Sequence, residues 1–262
     1  MGILYAIILG VIQGLTEFLP ISSSGHLLLV EHIFGITEGN LFFNILLHLA
    51  SLLAVVIIMR KEIWAIIKNP FSMKSISIVL SCIITMLVVL FLSKNMDKFT
   101  TIGSLGFGFL ISSILILLTY VISKKHKRMI LKNKIGYIDA CIIGIVQGFA
   151  TLPGISRSGS TICTSLLLGN ERRESANFSF LSSIPIILGA MLFEILKGEA
   201  TIVSNISATS CILGFLASFI VAYFSIKLMY KVVEKSNWLW FGIYLFILSI
   251  FVLLNQYVFM WF

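Results

Sequence analysis

Apolar residues run through this chain in blocks long enough to cross a lipid bilayer. Six stretches, residues 41–59, 76–93, 102–123, 177–196, 208–230 and 238–260, are dominated by Leu, Ile, Val and Phe. A spanning helix needs roughly 20 such residues, so the pattern predicts six transmembrane helices. Two further segments, 3–34 and 135–169, are apolar towards their ends but broken in the middle by Gly, Pro, Ser and a charge. Broken backbone at membrane depth is tolerated only where protein or a water-filled cavity surrounds it. These two predict helix-loop-helix segments beside a polar pocket.

The two broken segments repeat each other. At an offset of 134 residues, Gly10 falls on Gly144, Gln13 on Gln147, Gly14 on Gly148, Ile21 on Ile155, Ser22 on Ser156, Ser24 on Ser158 and Gly25 on Gly159. Identities so concentrated in Gly and polar positions do not follow from apolar bias, and they indicate an internal repeat. The chain divides into halves of 1–134 and 135–262, each a broken segment followed by three spans, within a single membrane domain. If each broken segment dips into the bilayer and returns, three spans separate the copies. Three is odd, so the copies enter from opposite faces. The expected fold is an all-α polytopic inverted repeat, six transmembrane helices plus two re-entrant segments, with discontinuous helices meeting near the midplane.

Charge placement agrees with this topology. Arg60, Lys61, Lys68, Lys74, Lys124, Lys125, Lys127, Arg128, Lys132, Lys134, Arg172, Arg173, Lys227, Lys231 and Lys235 fall on one side of the predicted bilayer. Only Lys94, Lys98 and Lys197 fall on the other. Basic residues mark cytoplasmic loops, which predicts both termini outside, the first broken segment entering from outside and the second from the cytoplasm. The net charge of +8 therefore reads as an orientation signal and a source of anionic-lipid contacts, and nucleic acid is not an expected partner.

Composition narrows the class further. Hydrophobic residues make up 58% of the chain and charged ones 11%, against about 25% charged in a soluble domain. Cys82, Cys141, Cys163 and Cys211 sit in apolar stretches without a CxxC spacing, and are expected to be buried thiols. The opening MGILYAIILGVIQG lacks a basic n-region and a small-residue cleavage site, so a signal peptide is not expected.

The chemistry concentrates in the breaks. The first reads QGLTEFLPISSSGH over residues 13–26, the second QGFATLPGISRSG over 147–159. Pro20 and the Pro153-Gly154 pair end the preceding helix, and Ser then stands where a new helix begins. Helix N-termini carry unpaired N–H groups and positive dipole charge, a ready anion site. Arg157 is the one basic residue outside the loops. Left unpaired near mid-bilayer it costs at least about 2.5 kcal/mol, so it needs Glu17 or a ligand phosphate. That pair alone is a structural tie between the repeats; the hydroxyl clusters beside it point to phosphate binding.

His26 follows the Ser22-Ser23-Ser24-Gly25 loop and is placed to move a proton or act as a nucleophile. His48, inside the first full span, is either a packing residue or a functional one. Ser22, Ser23 and Ser24 divide between helix caps, phosphate ligands and a nucleophile. Gly14, Gly25, Gly148 and Gly159 either allow close helix packing or admit a phosphate to the backbone. Asp139 and Glu194 read as interfacial, and Pro185 as a kink within a span.

The strings QGLTEFLPISSSGHL and PGISRSGST, with LLHLASLLAVV and FSFLSSIPIILGA, resemble the signature stretches of bacterial undecaprenyl-diphosphatases, the bacitracin-resistance phosphatases. The resemblance covers nearly the whole chain. It implies an inner-membrane enzyme that removes the terminal phosphate of undecaprenyl diphosphate and so recycles the lipid carrier for cell-wall synthesis. It also implies an active site open to the outer face and a divalent cation, Mg2+ or Ca2+. The residues it carries over are Glu17, Ser23, His26 and Arg157, with Ser22, Ser24, Gly25, Ser156, Ser158 and Gly159 about the phosphates. Some members carry a second Glu four residues before the one matching Glu17; this chain has Gln13 there, an amide oxygen in place of a charge. Glu17 and Gln13 are thus the expected metal ligands. The expected partners are a polyprenyl diphosphate lipid and the membrane, with a homodimer allowed. Rival readings are a polyprenyl-phosphate flippase on the same inverted repeat and a non-catalytic lipid-binding scaffold.

Overall fold

The computed structural model describes residues 2–34, 41–93, 102–125, 132–196 and 206–259. Eleven α-helices make up its regular structure, with a π-helical turn at Asn255–Phe259 and one isolated bridge between Lys132 and Asn170. In chain order they are α1 (Ile3–Thr16), α2 (Ser23–Ile33), α3 (Leu41–Ile58), α4 (Arg60–Lys68), α5 (Met73–Ser93) and α6 (Ile102–Lys125). Then come α7 (Tyr137–Phe149), α8 (Arg157–Leu167), α9 (Arg172–Leu196), α10 (Ala208–Lys235) and α11 (Leu239–Leu254).

Among the described residues five helices are long and apolar enough to cross a membrane: α5, α6, α9, α10 and α11 with its π turn. A sixth span results when α3 and α4 are taken together across the 74° bend between them. The side chains are sorted for lipid. α5 buries Ser77, Ser81 and Thr85 and exposes Val79, Ile83, Met86 and Leu87. Apolar surface carries no penalty in a bilayer, while a hydroxyl must find a partner inside the bundle.

The segment after the first full span corrects the sequence reading, which left residues 60–74 as a basic connection. It holds the helix α4, which follows directly on the end of α3 at Ile58. No Pro or Gly marks the turn; the chain changes direction at Met59, whose side chain is buried. α9 continues unbroken through Pro185. All four cysteines are free, and only Cys163 is fully buried.

α1 lies against α10. A Cβ on Gly10 would come 2.4 Å from the Gly214 carbonyl oxygen, and one on Gly14 2.4 Å from that of Ser218. α7 lies against α5 in the same fashion: a Cβ on Gly144 would come 2.6 Å from the Ser81 carbonyl oxygen, and one on Gly148 2.4 Å from Val88 Cβ. Each broken segment thus packs on a span belonging to the other half of the chain. α6 and α11 pack together, and Ser113 Oγ donates to the Gly242 carbonyl (2.7 Å).

Many of the basic loop residues gather at one end of the bundle. Lys74 pairs with Glu174 (3.0 Å), Arg172 Nη1 donates to the Glu234 carbonyl (3.0 Å), and Lys132 pairs with the buried Asp139 (3.0 Å). Lys94, Lys98, Lys127, Arg128 and Lys197, and the Glu194 side chain, lie outside what the structure describes.

Candidate active site

Both helix breaks form where the sequence places them. α1 stops at Thr16, Glu17 extends it by one residue in helical conformation, and Pro20 prevents its continuation. Ser22, at φ +70°, caps α2 by accepting from the Gly25 N–H (3.4 Å). In the second segment Gly154 takes φ +82°, a left-handed turn that suits glycine. Ser156 caps α8 by accepting from the Gly159 N–H (3.1 Å). α6 clamps this loop: Ser112 Oγ accepts from the Ser156 N–H (2.8 Å) and donates to the Gly154 carbonyl (3.2 Å).

The two breaks touch. Ser158 Oγ donates to the Leu19 carbonyl (3.0 Å). A Cβ on Gly159 would lie 3.1 Å from Pro20 Cβ, and one on Gly25 3.0 Å from Gly154 Cα. Glycine at these two positions therefore serves close approach, as it does at Gly14 and Gly148. The N-termini of α2 and α8 are brought together by this contact.

Between them Arg157 and Glu17 form an ion pair, Nη2 to Oε1, with side chains 12% and 5% exposed. Glu17 Oε2 accepts from Ser23 Oγ (2.6 Å) and from Gln13 Nε2 (3.1 Å). Gln13 Nε2 also reaches Ser51 Oγ (3.3 Å). The pair does not exhaust the polar capacity of the site. Arg157 Nη1 and Gln13 Oε1 are both buried without a protein partner. A buried guanidinium nitrogen left open is suited to an anion. A hydroxyl 2.6 Å from a carboxylate is within the reach of a nucleophile and its base.

Ser24 is exposed beside this centre, whereas Ser22, Ser156 and Ser158 are buried and engaged in the caps and in the contact between breaks. His26 points to a different neighbourhood. Its Nδ1 lies 2.7 Å from the Ser22 carbonyl, which can only accept, so Nδ1 carries the hydrogen. Nε2 then accepts from Tyr244 Oη (2.7 Å) on α11, and the ring packs between Tyr244 and Phe109. Tyr244 lies 218 residues away in sequence, and nothing in its local string marks it.

His48 belongs to the centre, with Nε2 3.7 Å from Glu17 Oε2. The legible signal was spacing: Asn44, His48 and Ser51 stand four and three residues apart on one face of an otherwise apolar helix.

Among the described residues no three His, Cys, Asp or Glu side chains cluster as a metal site. One carboxylate, Glu17, with the unpartnered Gln13 Oε1, fits a cation of the kind that takes its remaining ligands from substrate phosphate and water.

Comparison with known proteins follows the same lines. The family model described as bacitracin resistance protein BacA matches residues 6–251. An undecaprenyl-diphosphatase of Carboxydothermus hydrogenoformans is 39% identical over 255 residues, covering 96% of each chain. One of Bacteroides thetaiotaomicron is 40% identical over 267 residues, covering 98% of this chain and all of the relative. Undecaprenyl-diphosphatase 3 of Bacillus cereus is 37% identical over 261 residues, covering 98% of each.

Proposed function

Because the chain belongs to the bacitracin resistance protein BacA family, we propose that it converts undecaprenyl diphosphate to undecaprenyl phosphate and inorganic phosphate within a bacterial cell membrane. It is a membrane phosphatase. The observation that carries the reaction is the Arg157–Glu17 pair set between two helix N-termini, with Ser23 on the carboxylate and Arg157 Nη1 open.

The prenyl tail lies among the spans and the diphosphate enters between α2 and α8. Arg157 Nη1 and the two helix starts take the terminal phosphate, so the work is positioning and charge stabilisation. Ser23 Oγ attacks the terminal phosphorus and its proton passes to Glu17 Oε2. The bond from that phosphorus to the bridging oxygen breaks, and undecaprenyl phosphate leaves. Water then cleaves the phosphoserine, releasing inorganic phosphate and restoring the hydroxyl. A divalent cation held by Glu17 and Gln13 would supply further charge neutralisation. His26, tied to Tyr244, holds the Ser22 carbonyl and so the shape of the loop that presents Ser23.

An inverted repeat with two re-entrant segments is supported by how each segment closes. Tyr5 at the start of α1 meets Phe34 just past α2, ring centroids 5.7 Å apart. Lys132, before α7, exchanges backbone hydrogen bonds of 2.9 Å with Gly169 and Glu171, after α8. α1 runs parallel to α10, which ends among the basic residues, and α7 runs parallel to α5, which starts among them. The segments therefore enter from opposite ends. With the basic end cytoplasmic, the first opens outward, and the recycled carrier is dephosphorylated at the outer face of the inner membrane.

Purified protein in detergent should release phosphate from undecaprenyl diphosphate. A lipid carrier needs a bilayer and releases none, so absent release together with transport in vesicles would overturn the reading in favour of a flippase.

A further inference from the structure

The helix α4 carries charges and large apolar side chains together, and the bundle does not cover it. Arg60, Lys61, Glu62 and Lys68 fall within its nine residues, too many charges for hydrocarbon. Yet Trp64 and Ile67 are 58% and 61% exposed, and Phe71 just beyond the helix is 88% exposed. No residue of α4 is buried, and only Ile63 and Ile66 lean on the core.

The two kinds of side chain are sorted around the helix. Ile67 follows Trp64 by three residues and Ile63 by four, which sets an apolar flank; Lys61 and Lys68, two turns apart, share the next flank. α4 also leaves the direction of the spans, bending 74° from α3. α3 has 18 residues, about 27 Å of helix, close to a bilayer core of about 30 Å. With α3 across the bilayer, α4 lies at its surface and close to its plane. Lys68 Nζ sits 5.6 Å from the Trp64 ring centroid. The pairing recurs near the ends of α6 and α10, with Lys124 over Tyr120 (5.2 Å) and Lys227 over Tyr223 (4.2 Å). Rings with a lysine reaching past them suit the boundary between lipid and water.

Arg60, Lys61 and Lys68 make no ion pair among the described residues, so the cations of this helix are free to meet an anion. We propose that α4 is an interfacial helix that binds anionic phospholipid. Trp64, Ile67 and Phe71 lie among the acyl chains, and Arg60, Lys61 and Lys68 meet the headgroup phosphates. The positive charge selects an anionic headgroup over a zwitterionic one. The apolar flank beside it selects a lipid surface over a soluble polyanion. The inference stands apart from the phosphatase reading, because none of these residues belongs to the centre around Glu17.

The test uses the purified full chain reconstituted into phosphatidylcholine vesicles that carry equal fractions of either brominated phosphatidylglycerol or brominated phosphatidylcholine. Bromine on the acyl chains quenches a nearby indole, and subtracting the signal of Trp64→Phe isolates Trp64 from the other tryptophans. Each Lys or Arg at an anionic surface is worth about 5-fold in binding. Trp64 should therefore be quenched by both lipids, with phosphatidylglycerol preferred by about 5-fold or more. Arg60→Gln/Lys61→Gln/Lys68→Gln should keep the quenching and lose the preference, as should the wild type in high salt. Lys231→Gln/Lys235→Gln, which removes exposed charge from the end of α10, should keep both. Melting curves confirm that each variant is folded. Trp64 unquenched by either lipid overturns the proposal, since α4 is then covered by protein or stands in water. Equal quenching by the two lipids in the wild type, or a preference lost equally in the α10 control, also overturns it.

Discussion

Gly14→Ala adds one methyl group at the seam that aims Glu17. The new Cβ would lie 2.4 Å from the Ser218 carbonyl oxygen and 2.8 Å from the Ala222 nitrogen, both backbone atoms of α10. Neither can rotate away, so α1 and α10 must part by about 1 Å to restore ordinary contact. A gap of that size forfeits up to about half the attraction of each atom pair along the seam, and overpacking of this kind costs about 1–3 kcal/mol. Alanine returns up to about 1 kcal/mol in helix propensity, which leaves a net loss of up to about 2 kcal/mol. Turnover should suffer more than stability, because Glu17 is three residues further along the same helix. A misplacement of about 1 Å is worth about 100-fold in rate. Gly144→Ala, whose Cβ would lie 2.6 Å from the Ser81 carbonyl oxygen, should behave alike on the α5 side. Gly189→Ala is the control: nothing lies within 4 Å of its Cβ position in α9, so it should be neutral or slightly stabilising. Denaturation in mixed micelles reads the stability and phosphate release reads the rate. Gly14→Ala that melts and turns over like the wild type would refute the packing argument.

Arg157→Ala should lose about 3–5 kcal/mol, because it strands a buried carboxylate. The double variant Glu17→Gln/Arg157→Ala should recover much of that loss in the same denaturation assay while staying inactive. Ser158→Ala leaves the Leu19 carbonyl without its donor and should cost about 1–3 kcal/mol. Tyr244→Phe removes the hydroxyl that holds His26 Nε2 and should lower kcat while leaving the melt within about 1 kcal/mol of wild type. A cysteine placed by Ser24→Cys, at the exposed start of α2, should react in intact cells with a membrane-impermeant maleimide.

The breaks were legible because their chemistry is local. Proline and glycine end a helix and serine starts one wherever they stand, so Thr16 to Ser23 and Phe149 to Arg157 could be read from the string itself. The Arg157–Glu17 pair was legible for another reason: a lone guanidinium in lipid demands an anion, and few were on offer. The bend into α4 was not legible, because no Pro or Gly marks Met59 and the basic string that follows also suits a loop. His48 was half legible. Its face of α3 is polar at helical spacing, but which helix that face meets depends on packing between α1 and α3. Tyr244 was beyond reach, since its contact with His26 joins distant elements. The roles of Gly14 and Gly148 required the neighbouring backbone of α10 and the neighbouring side chain of α5. The same atoms that admit a phosphate also admit a helix, and only the coordinates distinguish the two.

The most direct test of the shared centre is the rate at which Glu17→Gln releases phosphate from undecaprenyl diphosphate, in protein shown by its melt to be folded. Glutamine keeps the shape and removes the charge that pairs with Arg157 and that, in the proposed reaction, receives the Ser23 proton. The account predicts a fall of about 10²–10⁴-fold. A folded Glu17→Gln enzyme working at the wild-type rate would contradict it.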